Sequence, residues 1–174
     1  SSLLTLPAAD LSIQDLQITT QALLMSGAPI GQMNIVRKHL SAILGGHMAR
    51  EAASRGAKVD AFLISDVTGD HPSSIASGPC APDESTFADA LQILKDYDLL
   101  QGQIPKVVTD YLQNGLSGKN PETPKSGDSI FKQINNHLLA TAHSCLEAAA
   151  SYCESQGVKA VILGDTVMGE AKDV

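Results

Sequence analysis

The sequence predicts an α/β fold, in three layers around a largely parallel sheet, on three observations. Segments with apolar residues at three- and four-residue spacing alternate with short continuous apolar runs, the pattern of helices interleaved with buried strands. The run Val59-Asp60-Ala61-Phe62-Leu63-Ile64 then breaks into carboxylates, hydroxyls, glycines and prolines between Ser65 and Pro79. Such a break marks the carboxyl end of a strand, where α/β proteins open a crevice between flanking helices. Lastly, 174 residues at 43% hydrophobic and 18% charged suffice for one core of ordinary size.

Each element has its own signal. Ser12 with Asp15 three residues on resembles a capping box, and Ile13, Leu16, Leu23 and Leu24 follow at helical spacing, so a helix is expected from about 12 to 26, ending at Gly27. After Ala28-Pro29, the spacing of Ile30, Met33, Val36, Leu40 and Ile43 predicts a second amphipathic helix that stops at Gly45-Gly46 and carries Asn34, Arg37, Lys38 and Ser41 on its polar face. A third helix, His47 to Arg55, leads through Gly56 into a buried strand near 58–65. Beyond the polar loop, Ser85 is a candidate cap for a helix holding Phe87, Leu91, Ile93 and Leu94, and Pro105 suits the first turn of another that runs to Gly115. Residues 116–128 read as an exposed loop. A strand near 135–141, an alanine-rich helix from 143 to about 156 and a second strand, Lys159 to Leu163, complete βαβ logic, which makes the fold Rossmann-like.

Composition excludes several classes. Twelve basic against nineteen acidic residues give a formal charge of −7, which argues against a general nucleic-acid binder. No apolar run approaches the roughly 20 residues that span a bilayer. Cys80, Cys145 and Cys153 are odd in number and lack CxxC spacing, so neither a disulfide framework nor a thiolate zinc site is expected and a reducing cytoplasm fits. The absence of an initiator Met and an end in mid-pattern suggest a chain truncated at both ends.

Chemistry concentrates in two places. Asp66 and Asp70 lie four apart across a turn and could hold a divalent cation, act as acid and base, or cap backbone amides. Arg37 and Lys38, with Asn34 one turn earlier, give two cations and an amide on one helix, a set that suits a small oxyanion or forms a solvated face. Ser73-Ser74 and Ser77-Gly78-Pro79 offer hydroxyls and amides that could surround an anion. His39 and His47 read as packing or capping residues, since no partner stands at metal spacing. Gly164-Asp165-Thr166 repeats the theme of a strand followed by an acidic loop, so Asp165 or Glu170 could contact a ribose or a metal, or simply form a turn.

Taken together, Ser26-Gly27-Ala28-Pro29-Ile30, Asn34-Ile35-Val36-Arg37-Lys38-His39-Leu40-Ser41, Gly45-Gly46, Ile64-Ser65-Asp66-Val67-Thr68-Gly69-Asp70, Ile75-Ala76-Ser77-Gly78-Pro79 and Pro82-Asp83 resemble the glycerate 2-kinase family. The likeness continues through Glu122-Thr123-Pro124-Lys125 and Gly164-Asp165 to Gly169-Glu170-Ala171. The resemblance implies that residues 1–174 are the central and carboxyl-terminal part of that family's amino-terminal α/β domain. A strand, a glycine run, a lysine motif and the carboxyl-terminal MOFRL domain are then expected outside it.

It further implies phosphorylation of D-glycerate to 2-phosphoglycerate with ATP and Mg2+, although some members are labelled hydroxypyruvate reductases. Asp66 becomes the expected catalytic carboxylate, joined by Lys38. Asn34 and Arg37 face the phosphates or the glycerate carboxylate, Ser65, Asp70, Ser77 and Gly78 shape the pocket, Asp70 is a metal candidate, and Asp165 and Glu170 are candidates for the nucleotide. Where the family commonly has a glycine and an asparagine after the strand near 137–140, this chain has Ala140-Thr141-Ala142-His143, leaving His143 or Ser144 as substitutes. The expected partners are therefore D-glycerate and ATP, with a homodimer allowed and neither nucleic acid nor membrane. A reductase would need a dinucleotide site, and no G-x-G-x-x-G follows a predicted strand here. A non-catalytic domain that binds small anions is the alternative of a different class.

Overall fold

A computed structural model describes residues 4–166. It is mixed α/β, with six α-helices and a parallel pair of strands among those residues. The helices are α1 (Ile13–Met25), α2 (Ile30–His39), α3 (His47–Ser54), α4 (Phe87–Asp96), α5 (Lys106–Leu116) and α6 (Ala142–Ser155), and the strands are β1 (Val59–Ile64) and β2 (Ile134–Ala140). β1 and β2 run parallel in register from Val59 opposite Ile134 to Leu63 opposite Leu138, with an irregularity before Ile64 meets Ala140. Both therefore end at the same edge, and the Ser65 amide extends the ladder by donating to the Ala140 carbonyl at 2.9 Å.

The helix starts follow local chemistry. Ser12 and Asp15 form a complete capping box on α1, as expected, and such a cap contributes about 1 kcal/mol. On α4 the cap is Thr86 rather than Ser85. The reciprocal bond needs an acceptor three residues on, which Asp89 supplies to Thr86, while the Ser85 hydroxyl is committed to Asp83 at 2.7 Å.

Helix α2 ends at His39, six residues before the expected glycine stop. Two competitors take the backbone after it. Ala8 donates to the Leu40 carbonyl at 2.9 Å and Ala42 to the Leu6 carbonyl at 2.8 Å, while Ser41 Oγ accepts from the amides of Ile43 and Leu44. Those groups are thus satisfied outside a helix.

The main core lies between helices rather than on the sheet. Leu23 of α1, Met33 and Val36 of α2, Phe87, Ala90, Ile93 and Leu94 of α4, and Val108 and Leu112 of α5 form one buried cluster. A smaller one, Ala49, Cys80 and Ile134 with Val59 and Ala61 packed on it, joins α3 to one sheet face. The other face is open. Phe62 and Ile64 on β1 and Leu139 on β2 are 66%, 71% and 64% exposed, so β1 is half-buried on one side and open on the other instead of buried on both. The strand expected at Lys159–Leu163 is absent, because no neighbouring strand among the described residues pairs with it, and Val161 and Leu163 stand 71% and 88% exposed.

Gly115 lies within α5 because of what faces it. A Cβ there would stand 2.4 Å from the buried Phe87 ring, so the missing side chain lets α5 approach α4. In an open helix Gly→Ala adds about 1 kcal/mol of stability, but overpacking a filled core costs roughly 1–3 kcal/mol. Gly115→Ala should therefore destabilise the protein by about 1–2 kcal/mol in urea denaturation, opposite in sign to Gly31→Ala in α2, where nothing lies within 4 Å of an added Cβ.

Candidate functional site

At the strand edge, a cavity of about 240 Å³ is lined by Ile30, Asn34 and Arg37 of α2, by Leu44, by Asp66, and by Ser74, Ala76 and Ser77. Asn34 and Arg37 are three apart and share one helix face, and Arg37 Nη1 donates to Asn34 Oδ1 at 3.4 Å. Asp66 stands two residues beyond β1 and is exposed. The β-ladder fixes the chain up to Ser65, whose hydroxyl caps the next turn through contacts to the amide and carbonyl of Val67. A guanidinium and a carboxylate thus share one small cavity, with a hydroxyl on its wall.

The third wall is strained. Ala76, Ser77 and Gly78 have φ of 54°, 58° and 62°, three consecutive left-handed residues, two of them not glycine. Such conformations cost of order 1 kcal/mol or more each and persist where surrounding structure holds them. Here the Ser77 and Gly78 carbonyls accept from the amides of Gly45 at 2.9 Å and Gly46 at 2.7 Å, and the Pro79 carbonyl accepts from Ala49 at 3.3 Å. Gly78 is required by its surroundings, since a Cβ would lie 2.9 Å from the Ser73 Cα and oxygen.

Of the polar residues singled out in the sequence, Asn34, Arg37, Asp66, Ser74 and Ser77 meet at this cavity. Ser65 and Gly78 lie behind them, the first buried in the turn and the second supporting Ser77. Asp70 sits further along the loop in a left-handed conformation and is not among the lining residues. Lys38, expected beside Arg37 at the chemistry, is instead buried against Asp83, with Nζ 3.3 Å from Oδ1. Asp165 stands 3.7 Å from His143 Nδ1 and away from the cavity, and Glu170 lies outside the described residues. Among the described residues no group of three His, Cys, Asp or Glu side chains could hold a metal ion. The cavity's one carboxylate, Asp66, matches only the donor count that magnesium takes beside phosphate oxygens.

A larger cavity of about 650 Å³ between α1 and α2 has Arg37 as the only charged side chain on its wall among the described residues, so it lacks the pairing of opposite charges found at the strand edge.

Behind the site lies a polar cluster that the sequence pattern did not reveal, because its members come from distant segments. Glu122 Oε1 accepts from His39 Nε2 at 2.9 Å and from the Thr123 amide at 3.0 Å, and its Oε2 accepts from the Phe87 amide at 3.0 Å. Lys125 Nζ donates to the carbonyls of Asp83 and Ser85 and to Thr123 Oγ1. Burial pushes the Asp83 carboxyl upward, but hydrogen bonds from Ser85 and the Lys38 charge outweigh it and leave it below the ordinary carboxylate value. His47 moves the other way: burial, then the Arg50 charge, lowers it from 6.5 to about 4. Arg50 Nη1 lies 3.3 Å from His47 Nδ1, and a guanidinium only donates, so that nitrogen accepts in a neutral ring.

Residues 1–113 match the family described as "Domain of unknown function (DUF4147)". The chain is 40% identical over 173 residues to the glycerate 2-kinase of Pyrococcus horikoshii, covering 99% of this chain and 38% of that protein. It is 44% identical over its whole length to an Agrobacterium vitis protein with a provisional hydroxypyruvate reductase name, covering 37% of it. The crystal structure of a glycerate kinase from Thermotoga maritima superimposes with a TM-score of 0.74 at 36% identity, over 93% of this chain and 35% of that one. The chain thus spans less than two fifths of the length of these relatives.

The half-buried, neutral His47 makes stability depend on pH. Below pH 6.5 the unfolded chain takes up a proton that the folded protein refuses until about pH 4, so stability is full above that window and falls as pH drops through it. The loss approaches roughly 3 kcal/mol at its limit. Urea denaturation between pH 7 and pH 4 should show this decline, and His47→Gln should remove most of it.

Proposed function

We propose that this chain, which belongs to the DUF4147 family, forms the acceptor-binding part of a kinase that phosphorylates D-glycerate at its 2-hydroxyl with ATP. The observation that carries the reading is the meeting of Arg37, Asn34, Asp66 and Ser77 on one cavity of about 240 Å³. That volume is below the roughly 300–1,000 Å³ of drug-sized ligand pockets, and it suits a small acid rather than a whole nucleotide. The names of the P. horikoshii and T. maritima relatives support the same substrate.

In this reading Arg37, steadied by Asn34, binds an oxyanion of the substrate through two parallel hydrogen bonds. Asp66 accepts the hydrogen bond of the 2-hydroxyl and receives its proton as the oxygen attacks the terminal phosphorus of ATP. The bond from that phosphorus to its bridging oxygen breaks, ADP leaves, and the new ester is 2-phosphoglycerate. Ser77 and the backbone of the left-handed turn close the pocket around the small acid. Magnesium would neutralise charge beside the nucleotide's phosphates during transfer, and Asp70, further along the loop, is the candidate carboxylate to hold it while Asp66 takes the proton. Asp165, beside His143 at the start of α6, is the nucleotide-side candidate within the described residues. The rest of the machinery belongs to the longer polypeptide that relatives of this kind possess.

The test uses the full-length protein with D-glycerate, ATP and magnesium, followed by phosphorus NMR. A 2-phosphoglycerate signal is expected, and Asp66→Asn should reduce turnover by about 100-fold or more, the scale of a lost general base. Arg37→Met should raise KM for glycerate about tenfold or more, as expected for a lost charge-assisted hydrogen bond. Absence of ester formation together with NADH oxidation by hydroxypyruvate would overturn the kinase reading in favour of a reductase.

A further inference from the structure

We propose that Lys38 and Asp83 act as a pair that positions the cavity through the Gly45-Gly46 turn, without touching substrate. This inference rests on the kinase reading only for its kinetic arm. The geometry runs from the pair to the cavity in two steps. A Cβ on Gly45 would lie 3.1 Å from Lys38 Cβ, 3.3 Å from Asp83 Oδ2 and 3.3 Å from Thr123 Cγ2, so the turn rests directly on the pair. The amides of Gly45 and Gly46 then bond the carbonyls of Ser77 and Gly78, which belong to the strained wall. On the near side, Leu44, immediately before the turn, lines the cavity itself. Lys38 also adjoins Arg37 on α2, so one ion pair abuts two of the three walls.

The pair is poorly arranged for stability alone. Both side chains are buried, 11% and 3% exposed, their single contact is 3.3 Å long, and Asp83 Oδ2 has no hydrogen-bond partner. Buried ion pairs with incomplete hydrogen bonding rarely recover their desolvation cost, and similar-sized apolar residues often serve stability as well or better. What an apolar replacement would lose is a fixed polar platform under Gly45, where the nearest neighbours of an added Cβ already stand at 3.1 Å and 3.3 Å.

The experiment compares Asp83→Asn, Lys38→Met and the double variant in the full-length protein. Two readouts are taken: kcat and KM for D-glycerate, and amide hydrogen exchange at Gly45 and Gly46. The double variant leaves no uncompensated buried charge, so it is the one expected to fold with near-normal Tm. For all three we expect KM to rise about tenfold or more, exchange at Gly45 and Gly46 to accelerate about tenfold or more, and exchange at Leu94 and Leu112 in the core to change least in the double variant. The double variant should be no worse than the single ones, since the two residues act as a unit.

Abolished turnover in Lys38→Met beside unaffected Asp83→Asn would place Lys38 on the substrate and overturn the proposal. Unchanged KM and unchanged Gly45 and Gly46 exchange in the double variant would overturn it as well. If the unmodified protein does not phosphorylate glycerate, the kinase reading fails, while the exchange measurement still decides for or against the positioning pair.

Discussion

Glu122 is half-buried, and the donors that its two oxygens gather from distant segments organise the helical half of this protein. Its Oε2 meets the Phe87 amide, the first residue of α4, where an N–H is otherwise unsatisfied and the helix dipole favours negative charge. Its Oε1 meets His39, the last residue of α2, at the opposite, electronegative end of that helix. His39 also reaches the Ile35 carbonyl at 2.8 Å with its other nitrogen, so both ring nitrogens face oxygen acceptors. One side chain thus pins the end of α2 to the start of α4. The stacking of the His39 and Phe87 rings, edge to face at 4.9 Å, fills the same junction. Because α2 carries Arg37 and Asn34, the face of α2 that lines the cavity inherits its position from this junction.

The opposite wall is set by different physics. Parallel strands end where β1 gives way to Ser65 and Asp66, and the ladder bond from Ser65 to Ala140 fixes the chain immediately before the carboxylate. Residues 76–78 take conformations an isolated chain would avoid, and backbone bonds from Gly45, Gly46 and Ala49 hold them there. Strain of this kind concentrates where function needs a fixed backbone. Its location on the cavity that also holds Arg37 and Asp66 is consistent with that use.

Much of this was legible in the sequence because it is local. The capping box of α1, the break after Ile64 and the shared face of Asn34 and Arg37 are all properties of a few adjacent residues. Those signals led to Asp66 and Arg37, which the fold brings to one cavity. The end of α2 was missed because the competitor for its backbone, residues 6–8, lies more than thirty positions away. The strand expected at Lys159–Leu163 has the right composition, but a strand also requires a neighbour, and periodicity says nothing about that. Lys38 illustrates the same limit. A lysine next to a binding arginine reads as a second cation for the ligand, yet α2 turns about 100° per residue, which carries Lys38 off the Arg37 face and onto Asp83.

That rotation also bears on how the site tolerates opposite charges at close quarters. If Lys38 shared the cavity with Arg37, Asp66 would face two cations and the pocket would be biased toward holding any anion tightly. With Lys38 neutralised by Asp83, the cavity retains one guanidinium and one carboxylate, a balanced pair that can bind an acid's oxyanion at one end and orient its hydroxyl at the other. Catalysis gains only from interactions that strengthen as charge moves toward the transition state. A second fixed cation in the ground-state pocket would instead tighten substrate and product alike. Withdrawing Lys38 into the scaffold therefore fits the proposed chemistry as well as the geometry: it leaves Arg37 and Asp66 as the cavity's two opposite charges and sets the buried pair against the turn behind Ser77.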